Sequence, residues 1–168
     1  MTSDDCDDNS SQRAPGLAEI CDGLDNDCST ATVEACPAGC APLRRPAPDD
    51  KKVYLFCGNA ASWAGARATC AGAQYKLVQI EDAAENLDAF AYARTVPFDP
   101  AETTNHRSIM WLGGNDFAVT TDWVWLTGEP MDYANWRAGE PSMEDEHCLI
   151  MLGAEGGLWD NRPCTEEF

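Results

Sequence analysis

The composition of this 168-residue chain breaks sharply near Lys52, and that break bounds what each part can fold into. Residues 1–50 hold eleven acids against three bases, five cysteines, and almost no aromatic or periodic apolar pattern. Such a segment has too little apolar surface to close a core, so disulfides or bound cations must hold whatever structure it has. The stretch APLRRPAPDDKK, residues 41–52, is rich in proline and charge and is predicted to be an extended linker. Three parts are therefore expected: an acidic, cysteine-containing segment at 1–40, the linker at 41–52, and a domain at 53–168. In the last part aromatic and apolar residues become patterned, and about 120 residues suffice for a proper core.

A net charge of −18, from 29 acids against 11 bases, repels phosphate backbones and anionic lipid surfaces. Nucleic acid and membrane insertion are therefore not expected. Acids crowded into loops suit a hard cation, and Ca²⁺ takes oxygen ligands while offsetting the repulsion between carboxylates. Nine cysteines, none in a zinc-type C-x₂-C…C-x₂-C array, point to disulfides and an oxidising compartment, hence to a secreted or cell-surface protein. No stretch reaches the roughly 18 apolar residues of a membrane span. The start, MTSDDCDDNSS, lacks the basic and apolar regions of a signal peptide, which predicts a mature form or a fragment.

Beyond the linker, VYLF (53–56) reads as a strand, and Ser62 caps a helix with Trp63, Ala66 and Cys70 inward. KLVQI (76–80) reads as a second strand. A helix from Glu81 to about Ala93 is predicted to present Ala84, Leu87, Phe90 and Ala91 on one side. From Ile109 only strand signals and turns follow: IMWLGGND, WVWLTG with Trp123 and Trp125 on one face, HCLIML and GLWDN. Helices first and antiparallel strands later predict an α+β domain. Between WVWLTG and HCLIML lies a loop of about twenty residues, and loops that long usually carry function.

That loop reads GEPMDYANWRAGEPSMEDEHC. Glu140, Ser142 and Glu146 can turn oxygens toward one point if the backbone bends tightly at Pro141, as a cis Glu140–Pro141 bond would allow. Asp160 and Asn161, directly after Trp159, supply two more oxygens from a strand that can lie beside the loop. Five side-chain donors approach the roughly six to eight that Ca²⁺ takes, and ligand hydroxyls could complete the set.

The ordered motifs W-L-G-x-N-D (Trp111 to Asp116), W-x-W-x-x-G (Trp123 to Gly128), N-W-x-x-G-E-P (Asn135 to Pro141), E-x-C (Glu146 to Cys148) and W-x-x-x-x-C (Trp159 to Cys164) resemble the C-type lectin-like domain. With Y-x-F-C (Tyr54 to Cys57), A-x-x-x-C (Ala66 to Cys70) and L-V-x-I (Leu77 to Ile80), the resemblance spans about Val53 to Phe168. It implies a two-helix fold with a long ligand-binding loop. It also implies calcium-dependent carbohydrate binding at Glu140, Ser142, Glu146, Asp160 and Asn161, with the E-P pair suggesting mannose-type diols. Two departures stand out, Ser142 in the place of an Asn and Asp160-Asn161 in reversed order. Ser142 is a shorter, weaker ligand than an amide; Glu144 or Asp145 could substitute. Asp116 matches an auxiliary calcium position, but Thr120 stands where a carboxylate belongs, so no second ion is expected there. The resemblance further implies a Cys148–Cys164 disulfide. It pairs Cys70 with a cysteine of a final strand that the chain does not reach, and Cys70 to Cys57 is the alternative.

Residues 3–28, SDDCDDNSSQRAPGLAEICDGLDNDC, alternate acids with turn formers, which lets consecutive oxygens wrap one cation. They resemble the metal-binding motif of the MopE type found in bacterial surface proteins, itself similar to thrombospondin type 3 repeats. The ligands so implied are Asp5, Asp7, Asn9, Asp22, Asp25 and Asp27, and the segment would serve as a stalk. Trp111, Trp123, Trp125 and Trp159 are expected in the core, with Trp136 and Tyr133 nearer the surface.

No catalytic pattern emerges. His106 and His147 form neither H-E-x-x-H nor a zinc spacing, and no G-x-S-x-G or lysine-bearing glycine loop is present. A glycosidase pair at Glu140 and Glu146 would need one buried acid with a raised pKa, which an open acidic loop does not supply. The expectation is a bacterial cell-surface adhesion protein that binds glycans with calcium and is not an enzyme. The alternative is a calcium-independent protein-binding or structural module of the same fold.

Overall fold

The computed structural model describes residues 11–44, 52–93, 109–142 and 145–168. The chain divides into two compact units, Met1–Cys57 and Gly58–Phe168.

In the first unit, strand β1 (Cys40–Arg44) pairs antiparallel with β2 (Val53–Cys57), Cys40 facing Cys57. Residues 41–44, read above as linker, thus belong to a ladder, and Val53–Cys57 falls in the acidic unit. The reason is covalent as well as hydrogen-bonded, since a Cys40–Cys57 disulfide ties the two strands together. This also removes the Cys70 to Cys57 alternative; Cys70 is a free, buried thiol, and its burial pushes its pKa up. A second bridge joins Cys21 to Cys36, and Cys28 is disulfide-bonded as well.

The second unit opens with helix α1 (Trp63–Gly72), where the Ser62 hydroxyl accepts from the Gly65 N–H as an N-cap. Its inward stripe is Trp63 and Cys70 with Ala66 packed behind them, as the periodicity predicts. Residues 76–80 form no ladder. They run beside the sheet, joined to it by one backbone bond from Gly113 N to Val78 O (2.8 Å), while Leu77 and Ile80 are buried.

Helix α2 (Ala83–Ala93) begins where Asp82 Oδ1 accepts from the Glu85 N–H and Glu85 Oε2 accepts from the Glu81 N–H, a reciprocal arrangement that satisfies two free donors. Its buried face is not the predicted one. Glu85, Asn86 and Ala89 are buried, Phe90 packs against the core, and Leu87 is 59 % exposed. Asn86 earns its buried place by bonding, because Nδ2 donates to Gly157 O (3.1 Å) and Oδ1 accepts from the Trp159 indole (2.7 Å).

Four antiparallel strands follow: β3 (Ile109–Asn115), β4 (Val124–Trp125), β5 (Cys148–Leu152) and β6 (Leu158–Arg162), in the spatial order β4-β3-β5-β6. Strand β5 is buried on both faces, which explains its unbroken apolar run. Cys148, Ile150 and Leu152 face Trp63, Leu77 and Trp111, while Leu149 and Met151 join Ile80, Leu112, Trp123, Trp125 and Trp159 on the other side. The four tryptophans expected in the core are there. A disulfide joins Cys148 at the start of β5 to Cys164 just after β6, the pairing that the resemblance implies.

The β3–β5 register shifts between Trp111 and Asn115, an interval that contains Gly113 and Gly114. A Cβ on Gly113 would sit 2.8 Å from the Leu77 carbonyl oxygen, a backbone atom that cannot move aside cheaply. Gly113→Ala is therefore expected to cost roughly 2 kcal/mol, read as a lower denaturation midpoint at unchanged m-value. An unaltered midpoint would show that the contact with 77–80 is loose.

Candidate functional site

The long loop is fastened to the edge of β6. Trp136 bridges Trp159 in parallel, with Arg137 N donating to Trp159 O and Trp159 N to Asn135 O, both at 2.8 Å. Asn135 Nδ2 also donates to Gly157 O (2.9 Å). Below this junction Trp136 stands edge-on to Trp123 (5.0 Å between ring centres) and Trp159 (6.1 Å), and Tyr133 to Trp159 (5.5 Å). Both loop aromatics are half-buried against the core and offer no exposed stacking platform.

The Glu140–Pro141 bond is cis. Beyond it the loop meets β6 through Asn161, which is fully buried. Asn161 Oδ1 accepts from Ser142 N (2.9 Å), and Nδ2 lies within bonding distance of Ser142 O (3.1 Å), Ser142 Oγ (3.3 Å) and Glu146 O (2.8 Å). The Ser142 hydroxyl donates to Glu146 Oε2 (2.9 Å). All five predicted residues, Glu140, Ser142, Glu146, Asp160 and Asn161, thus belong to one patch.

Two residues without a role in the sequence reading complete that patch. Arg162 lies 2.8 Å from Asp160 Oδ2 and 3.7 Å from Glu146 Oε1. Arg137 lies 3.1 Å from Asp160 Oδ2, 3.4 Å from Glu140 Oε1 and 3.3 Å from Glu155 Oε1. The contacts to Asp160 Oδ2 are close ionic ones that lack hydrogen-bond alignment. Burial pushes the Asp160 carboxyl above its usual range, as does Glu140, while Arg162 and Arg137 pull it back; Asp160 in turn raises the Arg137 pKa. A signal for both arginines was present, because residues 127–168 contain ten acids and only these two bases.

Whether this patch fits a calcium ion turns on its free oxygens. Glu140 Oε2 is buried with no hydrogen-bond partner, as a ligand atom would be. Against it, Asn161 spends its amide on the loop backbone, Ser142 bonds Glu146, and guanidinium groups lie on all three carboxylates. Among the described residues, the only acidic, histidine or cysteine trio with ligand atoms within 4.8 Å of one another is Glu19, Asp25 and Asp27 in the first unit. Among the described residues, the loop side chains as arranged do not fit a calcium ion. The auxiliary position is also engaged, since Asp116 Oδ1 meets His147 Nδ1 at 2.8 Å and Oδ2 accepts from Thr121 N at 2.7 Å.

The acidic segment gathers three carboxylates close enough to share a cation, although Glu19 Oε1, Asp25 Oδ1 and Asp27 Oδ1 also accept hydrogen bonds. Glu19 was not singled out by the sequence reading, yet its Oε1 accepts from Asp27 N (2.8 Å) and so draws Glu19 to Asp25 and Asp27. Asp22 stands outside this trio; its Oδ1 accepts from Leu24 N and its Oδ2 pairs with Arg44 at 3.3 Å. The central residue is Asn26, buried and bonded through Oδ1 to Ile20 N and through Nδ2 to Gln12 O. Asp5, Asp7 and Asn9 lie outside the described residues, as does Glu144.

Comparison with known proteins matches residues 59–168 to the Lectin C-type domain. The chain belongs to the C-type lectin family. Its members bind ligands and are not enzymes. Residues 5–32 match the metal-binding motif of the Cu-binding MopE family. Salivary C-type lectin 2 of Aedes albopictus is 31 % identical over 126 residues, 71 % of this chain and 81 % of that protein. Among solved structures, the carbohydrate-recognition domain of the mouse scavenger receptor C-type lectin aligns with a TM-score of 0.60 at 27 % identity, covering 79 % of this chain and 90 % of that one. A calcium-independent type II antifreeze protein aligns with a TM-score of 0.56 at 26 % identity, covering 79 % and 88 %. The fold therefore includes a relative that works without calcium.

Proposed function

We propose that this chain is an extracellular glycan-recognition protein whose lectin unit reads sugar hydroxyls with the loop edge at Glu140, Ser142 and Glu146, held from beneath by the fully buried Asp160 and Asn161, without a loop-held metal. The observation that carries the reading is the direct fastening of loop to strand through Asn161, which gathers these polar groups on one patch while two guanidinium groups offset most of the charge of its three carboxylates. Disulfides Cys21–Cys36, Cys40–Cys57 and Cys148–Cys164 suit an oxidising compartment, and no helix among the described residues is long and apolar enough to cross a membrane. The acidic unit is the metal-binding part, and the all-carboxylate trio Glu19, Asp25 and Asp27 favours calcium over softer, nitrogen- or sulfur-seeking ions. A cation there would steady a segment that has little core, in keeping with a stalk.

A second reading, calcium-dependent binding of mannose-type diols at the loop, is favoured by the unpartnered, buried Glu140 Oε2 and by the E-P pair. A glycan array separates the two. The oxidised protein, displayed in several copies because single-site lectin contacts are weak, is probed in millimolar calcium and in EDTA. The full chain is compared with an Asp25→Asn/Asp27→Asn variant, so that ion loss from the acidic unit does not confuse the result. Binding that survives EDTA is the expected outcome. Mannose-type binding that EDTA abolishes in both proteins establishes the second reading, and silence in both conditions with folded protein redirects the search to a protein partner.

A further inference from the structure

We infer that Arg137 and Arg162 stand in for a loop cation, supplying from within the chain the two positive charges that hold Glu140, Glu146 and Asp160 together. The inference concerns the loop's geometry and does not rest on its binding sugar.

Three carboxylates brought to one patch repel one another, and the repulsion is worst at Asp160, which is 0 % exposed. A divalent ion would offset it with two charges at one point. Two guanidinium groups bring the same total charge, and their placement divides the task. Arg162 bridges Asp160 to Glu146, at 2.8 and 3.7 Å, and Arg137 bridges Asp160 to Glu140, at 3.1 and 3.4 Å. Each arginine therefore ties the strand carboxylate to one loop carboxylate, and both meet at the same oxygen, Asp160 Oδ2. A guanidinium suits this position because its charge is permanent and its planar fork can address two carboxylates at once. Arg137 is anchored by its own backbone bond to Trp159 O, and Arg162 follows Asp160 and Asn161 directly in β6, so neither has to be recruited from a distance.

The side chains of Arg137 and Arg162 are 34 % and 26 % exposed, so solvent screens the pairs and their role is to position the loop more than to stabilise the fold. Two consequences follow. Loop geometry should be indifferent to calcium, and removing both arginines should leave an anionic pocket, with Glu140 Oε2 already unpartnered, that a divalent ion can enter.

Hydrogen–deuterium exchange of residues 127–147, followed by mass spectrometry, tests this in calcium and in EDTA. Every protein carries Asp25→Asn and Asp27→Asn, so that the acidic unit does not report. With both arginines intact, exchange is expected to be the same in the two conditions. With Arg137→Gln and Arg162→Gln added, exchange in EDTA should rise about tenfold, and calcium should restore protection. Calcium-dependent protection with the arginines intact would overturn the inference, as would a doubly substituted loop as well protected in EDTA as its parent. Where the double substitution prevents folding, the calcium comparison on the intact pair decides alone, and Arg162→Gln, which leaves Arg137 on Asp160 and Glu140, gives the smaller change of the same sign. Glycan binding is not read in this experiment, so its outcome is independent of whether the patch takes sugar.

Discussion

Replacing Trp159 by alanine is expected to remove about 4 kcal/mol of the lectin unit's stability, a large share of the roughly 5–15 kcal/mol that a domain possesses. Trp159 is fully buried and stands edge-on to Trp125, Tyr133 and Trp136, with ring centres 5.9, 5.5 and 6.1 Å away. Truncation leaves a cavity that rigid neighbouring rings cannot refill, and cavities of that kind cost about 3–5 kcal/mol for a large aromatic residue. It also strands Asn86 Oδ1, a buried acceptor whose partner is the Trp159 indole N–H at 2.7 Å, at a further cost of about 1 kcal/mol or more. Denaturant melts of the oxidised protein should show the loss, with a thermal midpoint lowered by roughly 15 °C. Trp136→Ala, at a half-buried loop position, should cost less than half as much. Equal costs, or a cost below about 1 kcal/mol at Trp159, would mean that the loop and not the strand carries the aromatic cluster.

The strands of the lectin unit were legible because burial decides them. An apolar run such as CLIML, short and bounded by turn signals, fits a strand covered on both faces, and β5 is that strand, whereas KLVQI, also read as a strand, forms no ladder. The residues proposed for the site come from the resemblance, and so does the Cys148–Cys164 bridge, which the structure contains. Helix α2 shows where such reading fails. Hydropathy chose Leu87 for the core and left Asn86 outside, yet Asn86 is buried because two partners from β6 and the turn before it, Trp159 and Gly157, wait for its amide. A buried polar group is fixed by its partners, and partners distant in sequence are invisible to periodicity. The hairpin of β1 and β2 escaped for a related reason, since its register is set by a disulfide between Cys40 and Cys57 that composition cannot assign.

The arginines mark the deeper gap. Reading the loop for oxygen donors finds Glu140, Ser142, Glu146, Asp160 and Asn161 and then asks which cation they hold. The chain carries its own cations one to three residues from the nearest of those donors, at Arg137 and Arg162. The departures noted in the sequence acquire a physical sense from this arrangement. Ser142 need not be a strong ligand when its task is to bond Glu146, and Asn161 in second place puts an amide, with both a donor and an acceptor, where the loop backbone must be gripped.

Asn161→Leu tests that grip. The substitution keeps size and burial but removes the acceptor for Ser142 N–H and the donor for the Ser142 and Glu146 carbonyls. Three hydrogen bonds at about 1 kcal/mol each set the expected loss near 3 kcal/mol, somewhat less where water reaches the half-exposed Ser142. The effect should be local as well as global, with amide exchange around Ser142 accelerating before the β5 amides respond. Asn161→Asp separates acceptor from donor, because it retains the bond from Ser142 N but sets a carboxylate against two carbonyl oxygens and adds a fourth negative charge beside Glu140, Glu146 and Asp160. If Asn161 acts as a clasp, Asp should be no better than Leu and added calcium should not rescue either variant. If instead the loop is held chiefly by a cation, Asp should restore protection in calcium and lose it in EDTA, since an added carboxylate strengthens a metal site and weakens a hydrogen-bonded one.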